Sequence, residues 1–207
     1  LVQQVKASRF EPRAVEWSFG KGGTPPIEVE LPGGGKAQLM GTVDRIDVCP
    51  GERKDYVRII DYKSGTMPLK LSEVMAGLKL QLLLYMDAVL HTHKDKPLRP
   101  AGMLYLSLTQ PLLDDVEEDK LEEALMKAFQ MKGLVVDDVE VLSAMDTHLP
   151  EKGASLIIPV VLKKDGSVRQ TPFGPVPEEA LFKLMEKAKG LAGAMLEAEW
   201  GGKAAAH

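Results

Sequence analysis

The sequence predicts an α/β fold with a central mixed β-sheet flanked by helices. Three observations carry that expectation. Two β-rich strings, KAQLMGTVDRIDV (36–48) and YVRIIDYK (56–63), flank the turn-forming CPGERKD. The string LKLQLLLYMDAVL that follows is apolar nearly all round, as a helix packed against a sheet requires. AGMLYLSL (101–108) is short, apolar and preceded by Pro97 and Pro100, so it reads as a buried strand that can pair in parallel through the helical crossover. With 207 residues, 44% of them hydrophobic, the chain can bury a substantial core in one globular unit.

Residues 2–19 mix polar and apolar types around Phe10, Val15, Trp17 and Phe19, read as irregular or briefly helical, and end in the breakers GKGGTPP. IEVEL (27–31) alternates as a half-buried strand does, PGGG is a turn, and residues 36–48 resume the strand pattern. With 56–63, this makes three consecutive antiparallel strands. Ser72 is placed to cap a helix running to about His91. Leu121, Ala124, Leu125, Ala128 and Phe129 fall at helical spacing and extend a helix to about Lys132. LIIPVVL (156–162) and VRQTP (168–172) flank a Lys164-Asp165-Gly166 turn, an expected hairpin with Pro159 at an edge or bulge. Pro177 opens a long helix to roughly Glu199, with Glu178 and Glu179 favourably placed in its first turn.

A formal net charge of -4 looks unsuited to a nucleic-acid enzyme, but the charge is uneven. Residues 1–100 hold 15 Lys and Arg against 12 Asp and Glu, whereas residues 101–207 hold 11 against 18. Much of the acidity is the run from Asp114 to Glu123, a solvated or partner-facing surface. One cysteine, Cys49, cannot close an internal disulfide, and neither an eighteen-residue apolar run nor a signal-peptide pattern occurs. A soluble, reducing compartment and no membrane are expected. The opening at Leu1 and the closing GGKAAAH read as a piece of a larger protein.

The chemistry-bearing pattern is Asp44 in GTVDRID, then Asp61 and Lys63 in IIDYKSG. Asp61 and Lys63 are two apart, so on a strand they share a face while the Tyr62 side chain points away. If the hairpin brings Asp44 opposite, two carboxylates and an ammonium converge, a hard oxygen site suited to Mg²⁺ or Mn²⁺. Such a site can neutralise a phosphodiester and activate a water for attack. The alternative is a cross-strand ion pair between Asp44 and Lys63, with Asp61 merely ending its strand. Gln81 and Tyr85, at i and i+4, share one helix face, and a glutamine in so apolar a helix needs a hydrogen-bond partner.

The ordered strings GTVDRIDV, VRIIDYKSG and LKLQLLLYMDAVL resemble the RecB-like branch of the PD-(D/E)XK nucleases, in the order G-x-x-D-R-[IV]-D, D-Y-K-[ST]-G, Q-L-x-x-Y. Within it they are most similar to the C-terminal nuclease domain of the B subunit of AddAB-type bacterial helicase–nucleases. The motifs span 41–85, with looser similarity in EPRAVEWSFG and in the C-terminal hairpin and helix. The resemblance implies a metal-dependent deoxyribonuclease, an exonuclease acting on single-stranded DNA ends beside a helicase partner in break repair and recombination, in the bacterial cytoplasm at the nucleoid. It makes Asp44 and Asp61 metal ligands, the Tyr62 backbone carbonyl an added ligand, Lys63 the catalytic lysine, and Gln81 and Tyr85 the helix pair near the site. One nuclease domain over 1–207 is expected, with a catalytic core at 1–110 and a helical insertion, hairpin and C-terminal helix at 111–207.

Glu16, in the similar segment, is a further candidate metal ligand, or a solvent-facing surface residue. Arg45 either contacts a phosphate or pairs with Asp47. Asp47 and Ser64 read as structural, and His91, His93 and His148 as surface residues without ligand spacing. The chain departs from the family pattern in having no histidine before Asp44. It also lacks the four cysteines that hold an iron–sulfur cluster in full-length members, so no such cluster fits within this piece. No Walker loop is present, so ATP-driven unwinding would come from elsewhere. The competing functional readings are a catalytically silent nuclease fold that binds or scaffolds DNA ends, and a nuclease acting on RNA or in mobile-element defence.

Overall fold

The computed structural model describes residues 7–64, 71–92, 96–109, 117, 120–171 and 174–204. A five-stranded mixed sheet, in the order β1-β4-β5-β6-β7, forms its centre. Strand β1 is Glu11–Phe19, β4 is Gly41–Cys49, β5 is Asp55–Lys63, β6 is Leu98–Ser107 and β7 is Lys132–Val135. Helix α1 (Leu71–Thr92) connects β5 to β6, and those two strands pair in parallel. The crossover expected from the sequence is therefore present. No helix among the described residues is long and apolar enough to cross a membrane.

The N-terminal segment departs from expectation. Residues 11–19 form an edge strand antiparallel to β4, with a register shift between Pro12 and Ala14 and Glu16 at φ 48. A strand so interrupted loses the strict alternation by which strands are recognised. The expected hairpin around the PGGG turn is present, β2 (Ile27–Glu30) pairing antiparallel with β3 (Lys36–Leu39), but it forms a separate two-stranded sheet. The expected single strand over 36–48 is broken at Met40, so the three-strand antiparallel run divides into two antiparallel pairs, β2–β3 and β4–β5, in different sheets.

Helix α1 is apolar around its circumference because it is covered on two sides. Leu82, Leu83, Met86 and Val89 join the main core, while Ala88 joins a second cluster with Phe19, Ile27, Val29, Ala37 and Ala192. Helix α1 already includes Leu71, and the Ser72 side chain expected to cap it lies outside what is described. Helix α5 (Glu178–Ala204) packs against α1 and the β2–β3 hairpin. A Cβ on Gly193 would lie 2.1 Å from the Glu30 carbonyl oxygen, so only glycine permits that approach. Glu197 Oε1 then accepts from the Gly33 N–H at 2.7 Å, and Lys189 Nζ reaches the buried Asp87 at 3.3 Å.

Helix α2 (Leu121–Ala128) ends sooner than periodicity suggests, because β7 follows and joins the sheet antiparallel to β6. Two further short helices, α3 (Val139–Met145) and α4 (Leu149–Lys152), have no counterpart in the sequence pattern. Asp138 caps α3 by accepting from the N–H groups of Glu140 and Val141. The C-terminal hairpin is reduced to isolated bridges, Leu162 with Val168 and Ala154 with Val161, around a 163–167 turn. Half of the run from Asp114 to Glu123 lies outside the described residues, as does His93.

Candidate active site

The β4–β5 register decides which side chains meet. Arg45 lies across from Ile60 and Asp47 across from Arg58. One step further along that register, Asp44 falls across from Asp61. Regular pairing has ended there, and the gap is bridged by a side chain: the Tyr62 backbone N–H donates to Asp44 Oδ2 at 2.7 Å. In an extended strand a residue's N–H and C=O share one edge, so the Tyr62 carbonyl also opens towards β4. The Leu108 N–H donates to the next carbonyl, that of Lys63, on the β6 side at 2.9 Å, in keeping with this alternation.

Asp61 is 6% exposed, and Lys63 Nζ lies 2.7 Å from its Oδ2. The angles of that contact do not make a hydrogen bond, which leaves Oδ2 buried with a charge beside it and no directed donor. Burial pushes the Asp61 carboxyl above the ordinary carboxylate range, Lys63 opposes the rise, and the Asp44 charge adds to it. Lys63 thus pairs along its own strand with Asp61. The alternative ion pair with Asp44 is absent among the described residues.

The opposite face of the same strands is closed. Asp47, fully buried, accepts from Arg45 Nε at 2.6 Å and Nη2 at 2.9 Å, and from Arg58 Nε at 3.0 Å, with Arg58 Nη2 2.9 Å away. The Arg58 guanidinium stacks over Phe10 at 5.0 Å. Arg45 is 8% exposed and committed to Asp47, so a phosphate contact is ruled out for it in this arrangement. Tyr62 places its ring on this face, its hydroxyl 3.5 Å from Arg45 Nη1. Arg58 carries no motif that singles it out in the sequence, although counting back across the 50–54 turn pairs it with Asp47.

Gln81 Nε2 donates to Tyr85 Oη at 2.8 Å, so the two helix residues satisfy each other. Neither hydrogen bonds to Asp44, Asp61 or Lys63 among the described residues. Tyr85 meets Phe19 edge-on at 5.6 Å, and a Cβ on Gly41 would lie 2.8 Å from both rings. Gly41, three residues before Asp44, is therefore the space into which Tyr85 fits. Glu16 is exposed and sits between Val15 and Trp17, which face Arg45 and Val43, so its position on β1 is beside Asp44. Ser64 is exposed at the end of β5, and His91 and His148 are exposed.

No cluster of three or more His, Cys, Asp or Glu side chains suited to a metal occurs among the described residues. Two carboxylates on one row, one buried oxygen of them contacted by the Lys63 ammonium but by no directed donor, with a carbonyl edge nearby, nevertheless fit a hard divalent cation that keeps open positions for water and substrate. A model of the PD-(D/E)XK nuclease superfamily matches residues 2–200. The chain belongs to that superfamily. Its nucleases generally use divalent metal ions, and this chain is a nuclease domain of that fold.

Among curated proteins, the chain is 41% identical over 194 residues to the B subunit of the ATP-dependent helicase/deoxyribonuclease of Clostridium novyi (strain NT), covering 90% of this chain and 17% of that protein. It is 40% identical over 195 residues to the protein of the same name from Clostridioides difficile (strain 630), with 90% and 17% covered. The Bacillus mycoides (strain KBAB4) protein of that name is 40% identical over 198 residues, again with 90% and 17% covered. The PD-(D/E)XK chain thus spans about a sixth of the length of these relatives.

Proposed function

We propose that residues 1–207 form one nuclease domain, with its catalytic core at 1–110, that hydrolyses DNA phosphodiester bonds as the nuclease module of a larger two-subunit helicase–nuclease. Its substrate is the single-stranded end supplied by a helicase partner during double-strand break repair, in the bacterial cytoplasm. The observation that carries the reading is the Asp44–Asp61 row, with a buried carboxylate oxygen that has no directed donor and an ammonium 2.7 Å from it. Support also comes from the relatives, whose names specify one subunit of an ATP-dependent helicase/deoxyribonuclease.

Asp44, Asp61 and the Tyr62 carbonyl would hold Mg²⁺ or Mn²⁺; Glu16 lies beside Asp44 in register but is exposed and does not complete a three-carboxylate cluster with Asp44 and Asp61 among the described residues, so it would have to turn inward to add a ligand. When bound, the ion supplies charge neutralisation at the phosphate and a water of lowered pKa. Asp44 is oriented by the Tyr62 N–H through Oδ2, which leaves its other oxygen for ligation. Lys63 orients the attacking water or stabilises charge developing on the phosphoryl oxygens, a preorganised electrostatic role. Gln81 and Tyr85, locked to each other, form the helix side of the site. An iron–sulfur cluster would need cysteines from outside this chain, whose one cysteine, Cys49, is buried with its thiol pushed up by that burial.

The test is cleavage of labelled single- and double-stranded DNA across a Mg²⁺ and Mn²⁺ titration, with Asp61→Ala and Lys63→Ala beside wild type. Metal-dependent cutting that favours single strands is expected, with both variants folded and slowed by about 10²-fold or more. Equal cutting by all three proteins removes the chemistry from these residues. End binding without cutting, even with the partner subunit present, would make the domain a scaffold.

A further inference from the structure

The row that holds the two carboxylates continues across the sheet. Asp61 on β5 lies beside Tyr105 on β6, and Tyr105 lies across from Lys132 on β7. Side chains aligned across neighbouring strands stand on one face. Asp44, Asp61, Tyr105 and Lys132 therefore form one line, with the acidic pair at one end and an ammonium at the other. At a strand spacing of about 4.8 Å, the Lys132 backbone is roughly 10 Å from that of Asp61.

Lys132 is exposed and has no ion-pair partner among the described residues. Its surroundings add positive charge. Lys79 of α1 lines the same small cavity as Tyr105 and Gly133, the residue after Lys132. Lys63 lies beside Ser107, two residues along β6 from Tyr105. Just beyond, Thr109 Oγ1 is buried without a partner. This end of the sheet thus places three lysines near Tyr105: Lys63, paired with Asp61, Lys79, which has contacts of its own, and the exposed Lys132.

We propose that Lys132 is a substrate-positioning residue that binds a backbone phosphate flanking the scissile one. An ammonium on a flexible stem is a compact point charge, suited to a phosphate and indifferent to base identity. Tyr105, between Asp61 and Lys132, is buried, so a strand whose scissile phosphate sits at Asp44 and Asp61 would pass over this end of the sheet rather than along the row itself, and meet the exposed Lys132 next. The contact holds the strand in place and takes no part in bond breaking. This inference rests on the nuclease reading.

The experiment uses the full-length chain with its partner subunit and short single-stranded oligonucleotides carrying one uncharged methylphosphonate linkage at successive positions on either side of the cleavage site. Lys132→Ala is expected to raise KM for the unmodified oligonucleotide about tenfold while changing kcat by less than about twofold. It is also expected to lower the log–log salt slope of kcat/KM by about 0.7, the value for one phosphate contact on a single strand. Lys132→Arg should restore both, and Lys187→Ala, an exposed lysine on α5, serves as the remote control. In wild type one flanking methylphosphonate should raise KM by the same factor, and in Lys132→Ala that linkage should have no further effect.

Cleavage by Lys132→Ala with unchanged KM and salt slope overturns the proposal and leaves the nuclease reading standing. Additive effects of the variant and of every methylphosphonate overturn it too. A wild type that does not cleave removes the nuclease reading and this inference together.

Discussion

Asp47 and Asp61 sit on adjacent strands of one sheet and are both buried, at 0% and 6% exposure, yet their surroundings are opposite. Asp47 is held by two guanidinium groups through four contacts of 2.6–3.0 Å. Asp61 has an ammonium beside it, a second carboxylate across the row and one oxygen with no directed donor. A carboxylate whose lone pairs are spent holds a fold together; one left short of donors has capacity for a ligand. The two faces of β4 and β5 divide these tasks residue by residue.

The largest effect should come from breaking the closed face. Asp47→Ala leaves Arg45 and Arg58 buried without their counter-charge, and Arg58 Nη1 already lacks a partner. A loss of about 3–5 kcal/mol is expected in chemical denaturation, the range for removing one partner of a buried ion pair. A loss below about 1 kcal/mol would mean that water reaches the guanidinium groups, and the contrast between the faces would weaken.

The open face should respond in the other direction. Burial raises the Asp61 carboxyl pKa in the folded chain. The ionised group therefore opposes folding at pH above its folded value, and this penalty fades as pH falls through that value towards the unfolded one. Asp61→Asn should stabilise the metal-free protein at neutral pH by about 1 kcal/mol, as relieving a functional site commonly does. Thermal melts should show the advantage shrinking on acidification. Mn²⁺ should raise the Tm of wild type and leave that of the variant unchanged. A variant less stable than wild type at neutral pH would show that the Lys63 contact outweighs burial.

The closed and open faces were unequally legible in the sequence. The β5–α1–β6 crossover could be read because each of its parts is long, periodic and bounded by turn residues. The shared face of Asp61 and Lys63 followed from two-residue alternation alone. Other features depended on pairing between distant segments. Edge strand β1 hides its period behind a register shift and the positive φ of Glu16. Strand β7 is four residues long and contains Gly133 at φ 137, so local preference argues against it. Without β7, nothing places Lys132 in the Asp61 row. Arg58 likewise joins Asp47 only once the register is known.

The smallest effect tests whether α1 belongs to the open face. Tyr85 takes a hydrogen bond from Gln81 and fills the space above Gly41, but reaches neither carboxylate among the described residues. Tyr85→Phe keeps the ring against Phe19 and removes only the hydroxyl, so the cost to stability should be about 0.5–1.5 kcal/mol. Gln81 would then be released from its partner. If the pair merely packs, cleavage measured below the melting transition should be unchanged. If the tyrosine hydroxyl fixes Gln81 for work in the site, kcat should fall while the Mn²⁺ concentration for half-maximal activity stays constant, because in the proposed site the metal is held by Asp44, Asp61 and the Tyr62 carbonyl and not by the helix pair. A shift in that concentration would instead place the helix pair in contact with the metal ligands and extend the open face beyond the sheet.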